Sequence, residues 1–129
     1  MKVKRDIKEL DDIKLMVDTF YGYVRKDDLL GPIFNERIAN NWPKHLEKMY
    51  RFWQTVLLHV QAYSGSPFIP HATLQIDKVH FDRWLILFEK TITENFVGDV
   101  ANDAMQKAAN MAKMFQFKIA HYQGKTPLK

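Results

Sequence analysis

Between residues 62 and 88 the chain reads Ala62-Tyr-Ser-Gly-Ser-Pro-Phe-Ile-Pro70, then His71-Ala-Thr-Leu-Gln-Ile76, then Asp77-Lys-Val-His-Phe-Asp-Arg-Trp-Leu-Ile-Leu-Phe88. The first part holds a glycine, two serines and two prolines, the composition of irregular chain. The second part is only weakly periodic. At Asp77, a residue suited to cap a helix, the pattern changes. Phe81, Trp84, Leu85, Phe88 and Ile92 then recur at helical spacing. An aperiodic stretch of this length is unusual between helices, which in a plain bundle are joined by short loops. Such a stretch is expected to wrap something.

Working outward, the rest of the chain is helical in pattern. Ile13, Met16, Val17, Phe20, Tyr21 and Val24 form one stripe within Asp11 to Lys26. Leu29-Leu30-Gly31-Pro32-Ile33-Phe34 breaks that pattern and predicts a short turn or helical turn. A second long helix is expected from Asn41-Trp42-Pro43, with Pro43 in a first turn where its missing N–H does no harm. Its stripe is His45, Met49, Phe52, Val56 and Val60. Gly98 suits a helix stop and Asp99 the next start. The last helix carries Ala104, Ala108, Met111, Ala112, Phe115, Ile119 and Tyr122. No repeat, linker or strand-like alternation appears, so the expected class is all-α, as one domain over 1–129.

Composition narrows the chemistry. The chain has 129 residues, 47% hydrophobic and 26% charged, which is globular and large enough for a real core. It contains no cysteine, which removes disulfides, thiolate metal sites and cysteine nucleophiles. Any metal must be held by nitrogen or oxygen ligands. The net charge of +4 is spread over scattered lysines among acids, which is a solvated surface and not a nucleic-acid footprint. The opening MKVKRDIKEL lacks the apolar core of a secretory leader, and no run approaches the ~18 apolar residues of a membrane span. The expectation is a soluble, cytoplasmic protein without a membrane or nucleic-acid partner.

The five histidines, His45, His59, His71, His80 and His121, fit no zinc spacing, since no His-x-x-x-His occurs. There is no strained serine turn and no glycine-rich phosphate loop. Taken singly, histidines more often pack or face water than bind metal. Nine Phe, five Tyr and three Trp are many for this size. Most aromatic residues in such a chain are core. Polar rings set within apolar stripes point further: Tyr21 beside Phe20, His45 one turn before Met49, Trp84 between Phe81 and Phe88. A buried phenol or indole needs a partner for its O–H or N–H. A flat, apolar ligand lined from several helices supplies one reading, and a cofactor-free helical interaction module with an aromatic core supplies the other.

Phe20-Tyr21, Leu30-Gly31-Pro32-Ile33-Phe34, Phe52-Trp53, and His71-Ala-Thr-Leu followed by His80-Phe-Asp-Arg-Trp-Leu-Ile-Leu-Phe88 together resemble the truncated haemoglobins of group III. The resemblance runs from about Asp11 to about Tyr122. It implies a shortened globin fold, a two-over-two helical sandwich around haem b. His71 then corresponds to the axial (proximal) ligand of iron, with Pro70 stiffening the backbone before it. Tyr21 and Trp84 correspond to hydrogen-bond donors on the opposite side. His45 corresponds to a ring that gates ligand access without coordinating. Phe34 corresponds to the aromatic wedged against the porphyrin. Phe20, Leu46, Met49, Phe52, Trp53, Ile76 and Phe81 are the expected walls, and Trp84 is both wall and donor. His80 is the rival ligand, in the first turn of its helix.

The resemblance further implies binding of oxygen, nitric oxide and carbon monoxide at an open sixth iron position. Two donors beside that position would slow oxygen release, which suits nitric oxide or peroxide and peroxynitrite chemistry better than transport. Such chemistry would need a reductase partner. Nothing in the pattern marks a coiled-coil seam or a self-complementary patch, so a monomer is expected.

Overall fold

A computed structural model describes residues 3–63 and 76–122 of the chain. The first helix, α1 (Leu10–Lys26), opens on a capping box in which Glu9 and Asp12 satisfy each other's backbone N–H groups. Asp11 and Asp12 at its start and Arg25 and Lys26 at its end complement the helix dipole. Its whole predicted stripe, Ile13 to Val24, is buried.

After α1 the chain turns on Asp27. The Asp27 carboxylate accepts the N–H groups of Leu29 at 3.1 Å and Leu30 at 2.9 Å, and Arg83 donates to it at 2.7 Å. Helix α2 (Gly31–Ile38) follows at once. A Cβ at Gly31 would stand 2.8 Å from the Arg25 carbonyl oxygen, so a glycine is needed for α2 to start this close to α1. The Leu29–Phe34 stretch, expected as a short turn or helical turn, is helical from Gly31 onward. Gly-Pro lies at a helix start, where proline fits, and does not break one.

A 3-10 turn (Ala39–Asn41) leads into α3 (Trp42–Leu58), which ends on His59 in the left-handed region at φ 59°. Val60, expected on the α3 stripe, lies beyond the helix and is exposed. The Thr55 hydroxyl accepts the N–H groups of Ala62 and Tyr63, at 3.1 and 3.0 Å, and so holds the chain against α3 as it leaves. Helix α4 (Lys78–Asn95) opens at Asp77, as expected, and α5 (Asp99–Tyr122) follows.

Helix α1 packs against α2, α3 and α4, and α4 packs against α5. Two helix pairs, α1–α3 and α4–α5, thus meet along the α1–α4 contact, the expected all-α arrangement. Polar ties reinforce the packing. The Tyr50 phenol of α3 donates to Asp18 of α1, and the Tyr23 phenol donates to Glu94 of α4 at 2.5 Å. Among the described residues there is an isolated parallel bridge between Arg5 and Phe96 but no strand, and no helix is long and apolar enough to cross a membrane.

The start of α5 is capped from far away. The Asp6 carboxylate accepts the N–H of Val100 at 3.0 Å and of Ala101 at 2.8 Å. Gly98, expected to stop a helix, instead makes room for this carboxylate. Helix α4 has already ended at Asn95, and Gly98 has φ 140°, where a Cβ would stand 2.4 Å from Asp6. Asp99 begins α5, as expected, while the carboxylate that caps its first turn is that of Asp6.

Burial alone would raise the Asp6 carboxyl, but the N–H groups of Val100, Ala101 and Ile7, with Lys8 nearby, outweigh it and hold the carboxyl below its ordinary value. Asp27 is depressed in the same way. Burial opposes the shift, and the Leu30 N–H, Arg83 and the Leu29 N–H overcome it. Both groups therefore bind protons less readily folded than unfolded. The stability they contribute should be complete above about pH 4 and lost as pH falls through their folded values. Asp6→Ala is expected to cost about 1–2 kcal/mol, the range of a lost helix cap, and to flatten the acid limb of stability. Urea unfolding at pH 7 and pH 3 checks this; an unchanged midpoint at pH 7 would contradict the cap.

Candidate functional site in an aromatic cavity

A cavity of about 210 Å³ opens between the helices. Helices α3, α4 and α5 contribute wall residues at helical spacing, so one face of each serves the site. Helix α1 brings Tyr21, and the α1–α2 turn and α2 bring Leu30 and Phe34. Helix α3 brings His45, Lys48, Met49, Phe52 and Trp53, with Tyr63 beyond it. Ile76 precedes α4, which brings His80, Phe81 and Trp84, and α5 brings Met111, Ala112 and Phe115. The surface is mostly hydrocarbon and aromatic, with a few polar groups set into it.

Rings brace the wall from behind. Phe20 meets Tyr21 at 5.0 Å, Trp84 at 5.3 Å and Phe88 at 5.3 Å, each edge to face. Phe88 in turn stacks on Trp84 at 5.7 Å and on Trp53 at 5.2 Å. Phe52 meets Tyr63 edge-on at 5.4 Å. Phe20 and Leu46, expected as walls, do not line the cavity. Phe20 stands one layer behind, against Tyr21 and Trp84, and Leu46 packs against the core. Tyr21, Phe34, His45, Met49, Phe52, Trp53, Ile76, Phe81 and Trp84 all line it. His71 lies outside the described residues.

The polar groups have distinct states. Tyr21 is buried, and burial drives its phenol well above the ordinary value, so the hydroxyl keeps its proton and remains a donor. Its ring meets that of His45 at 5.1 Å, nearly perpendicular. His80 lines the cavity, yet its Nδ1 accepts the Asp77 N–H at 2.9 Å within the cap of α4. In the neutral ring the proton then sits on Nε2. One nitrogen is engaged by the helix cap and the other carries hydrogen, leaving no lone pair for a metal. Lys48 adds an exposed ammonium group to the lining.

Sequence pattern alone did not single out Leu30, Lys48, Tyr63, Met111, Ala112 and Phe115 as site residues. Lys48 had a usable signal, a charge three residues after His45 on the same helical face. Met111, Ala112 and Phe115 sit on a stripe that reads equally well as core. Tyr63 lies in aperiodic chain and had no signal.

The model of the bacterial-like globin family matches residues 8–120. The chain is 34% identical over 118 residues to the group 3 truncated haemoglobin of Campylobacter jejuni, covering 88% of this chain and 93% of that protein. The crystal structure of the group III truncated haemoglobin from Campylobacter jejuni superposes with a TM-score of 0.84 at 32% identity, covering 91% of this chain and 95% of that one.

Phe20→Ala should cost about 3–5 kcal/mol in unfolding free energy, as large-to-small core changes at aromatic positions do. Denaturant unfolding measures it, and a loss below about 1 kcal/mol would remove Phe20 as the brace of this wall, being no more than an average substitution costs.

Proposed function

Because the chain belongs to the bacterial-like globin family, as a group III truncated haemoglobin, we propose that it would hold haem b in the aromatic cavity, with His71 as the residue that would ligate its iron. The whole chain, 1–129, would serve this as one domain. Support comes above all from the cavity itself: an apolar, ring-walled space reached by α1, α3, α4 and α5, with a buried phenol that stays protonated. These residues fit a large apolar ring system bearing carboxylates. Phe34, Met49, Phe52, Trp53, Ile76 and Phe81 would hold its apolar body, while Lys48 and the Nε2–H of His80 offer donors to acidic edges. Haem supplies an iron atom able to take a diatomic gas as ligand and to exchange an electron with it.

The chain's own residues set what happens to the gas. Tyr21 and Trp84 supply an O–H and an N–H, and each donor to a partly charged oxygen is worth about 1.5–3 kcal/mol. Two such donors retain oxygen, nitric oxide or carbon monoxide to different extents, favouring the most polar. Retention of this kind suits reaction with nitric oxide, peroxide or peroxynitrite better than delivery of oxygen. His45 stands against Tyr21 and governs access past it. Turnover would require a reductase, and the setting is a monomer in the cytoplasm. His80 is set aside as ligand because the α4 cap already engages its Nδ1.

The visible spectrum after reconstitution with hemin, reduction and carbon monoxide exposure tests this. A sharp Soret band that shifts with carbon monoxide is expected; a diffuse band without a shift would leave a cofactor-free helical interaction module. His71→Ala should lose haem, and His80→Ala should keep a normal band. If His80→Ala alone loses haem, the axial assignment moves to His80. Tyr21→Phe and Trp84→Phe should each speed oxygen dissociation by about ten- to a hundredfold in stopped flow. Tyr21 stays protonated well past neutrality, so the wild-type dissociation rate should hold level from pH 6 to pH 9.

A further inference from the structure

His45 sits in the first turn of α3, the part of a helix that depends most on its cap. That cap is weak here. Asn41 makes no side-chain cap bond, and Ala39, two residues earlier, has a positive φ of 51°. Trp42 follows as the first residue of the helix. Its indole is buried but does not line the cavity. It meets His45 edge-on at 5.7 Å, perpendicular, and Tyr21 at 5.7 Å. Tyr21 and His45 also meet each other, so the three rings form a closed triangle. From outside, the Arg25 guanidinium lies 4.4 Å from the centre of the Trp42 ring. Arg25 belongs to the last turn of α1, and its carbonyl also accepts the Asn35 side-chain amide at 3.2 Å. An exposed cation, an indole and the polar pair of the cavity are thus in successive contact.

We infer that Trp42, clamped by Arg25, is the positioning residue for Tyr21 and His45, and so sets how readily a gas passes His45 into the cavity. The inference rests on the cavity being a gas-binding haem site. Trp42 touches no ligand and acts through the two rings it braces. A cation over a ring face attracts it electrostatically, and indole is the strongest acceptor of this kind. Releasing Arg25 frees the indole, and a freed indole lets His45 sample more than one orientation.

The test uses the haem-loaded, carbon monoxide-bound protein and three variants: Trp42→Leu, Arg25→Gln and Arg25→Lys. The infrared C–O stretch and the NMR signals of the His45 ring report its orientation, and flash photolysis reports gas access. Trp42→Leu should split or broaden a single C–O band and speed rebinding from solvent. Arg25→Gln, at an exposed position, should do the same more weakly, about two- to fivefold in rate, the factor an exposed cation–π contact carries. Arg25→Lys should restore wild-type spectra. A lowered melting temperature with unchanged C–O band and His45 signals in Arg25→Gln overturns the inference and leaves Trp42 a packing residue. If Trp42→Leu fails to fold, the Arg25 pair decides alone. A wild-type protein that forms no carbon monoxide complex overturns the haem reading, and this inference with it, before any variant is compared.

Discussion

The Phe20 ring meets those of Tyr21, Trp84 and Phe88 edge to face, and through them joins α1 to α4 directly behind the cavity. Such pairs each add about 0.5–1.5 kcal/mol beyond the area they bury, and their geometry is directional. A greasy contact could slide; an edge-to-face contact holds its partner's orientation. Tyr21 and Trp84, which both line the cavity, are fixed by the same ring. Helix packing and the placement of hydrogen-bond donors are therefore one constraint here.

The polar groups follow the same economy. Each occupies an apolar wall, and the surroundings of Tyr21 and His80 fix where their hydrogens sit. Burial keeps the Tyr21 proton in place, and the α4 cap decides which nitrogen of His80 carries hydrogen. The cap thereby engages His80 in holding a helix. Lys48 contributes an exposed charge to the wall.

Much of this was legible in the residues themselves. The stripes of α1, α4 and α5 declare themselves through period alone, because a helix with one buried face must repeat its apolar residues. Tyr21, His45 and Trp84 stood out as polar rings within those stripes. What period cannot convey is distance between segments remote in sequence. Phe20 and Tyr21 are neighbours in an apolar run, and nothing local says which lines the cavity and which stands behind it. Gly98 followed by Asp99 reads as a stop and a start. Only the approach of Asp6 explains both, and no pattern within a window of residues could contain it. Trp42 looked like a helix opening, since its packing against Tyr21 depends on how α3 crosses α1. Gly31-Pro32 looked like a break because the same pair marks turns and helix starts alike.

The Asp6 cap also bears on the order in which this chain assembles. Its carboxylate lies 94 and 95 residues before the helix N–H groups that donate to it. Contacts between such distant segments close late, after the entropy of the intervening chain has been overcome. Until they close, the first turn of α5 has exposed N–H groups and no anion to meet them. Met111, Ala112 and Phe115 lie on that same helix. The final wall of the cavity is thus tied to one of the last contacts to form, and a half-folded chain would offer a ligand three sides of a box instead of four.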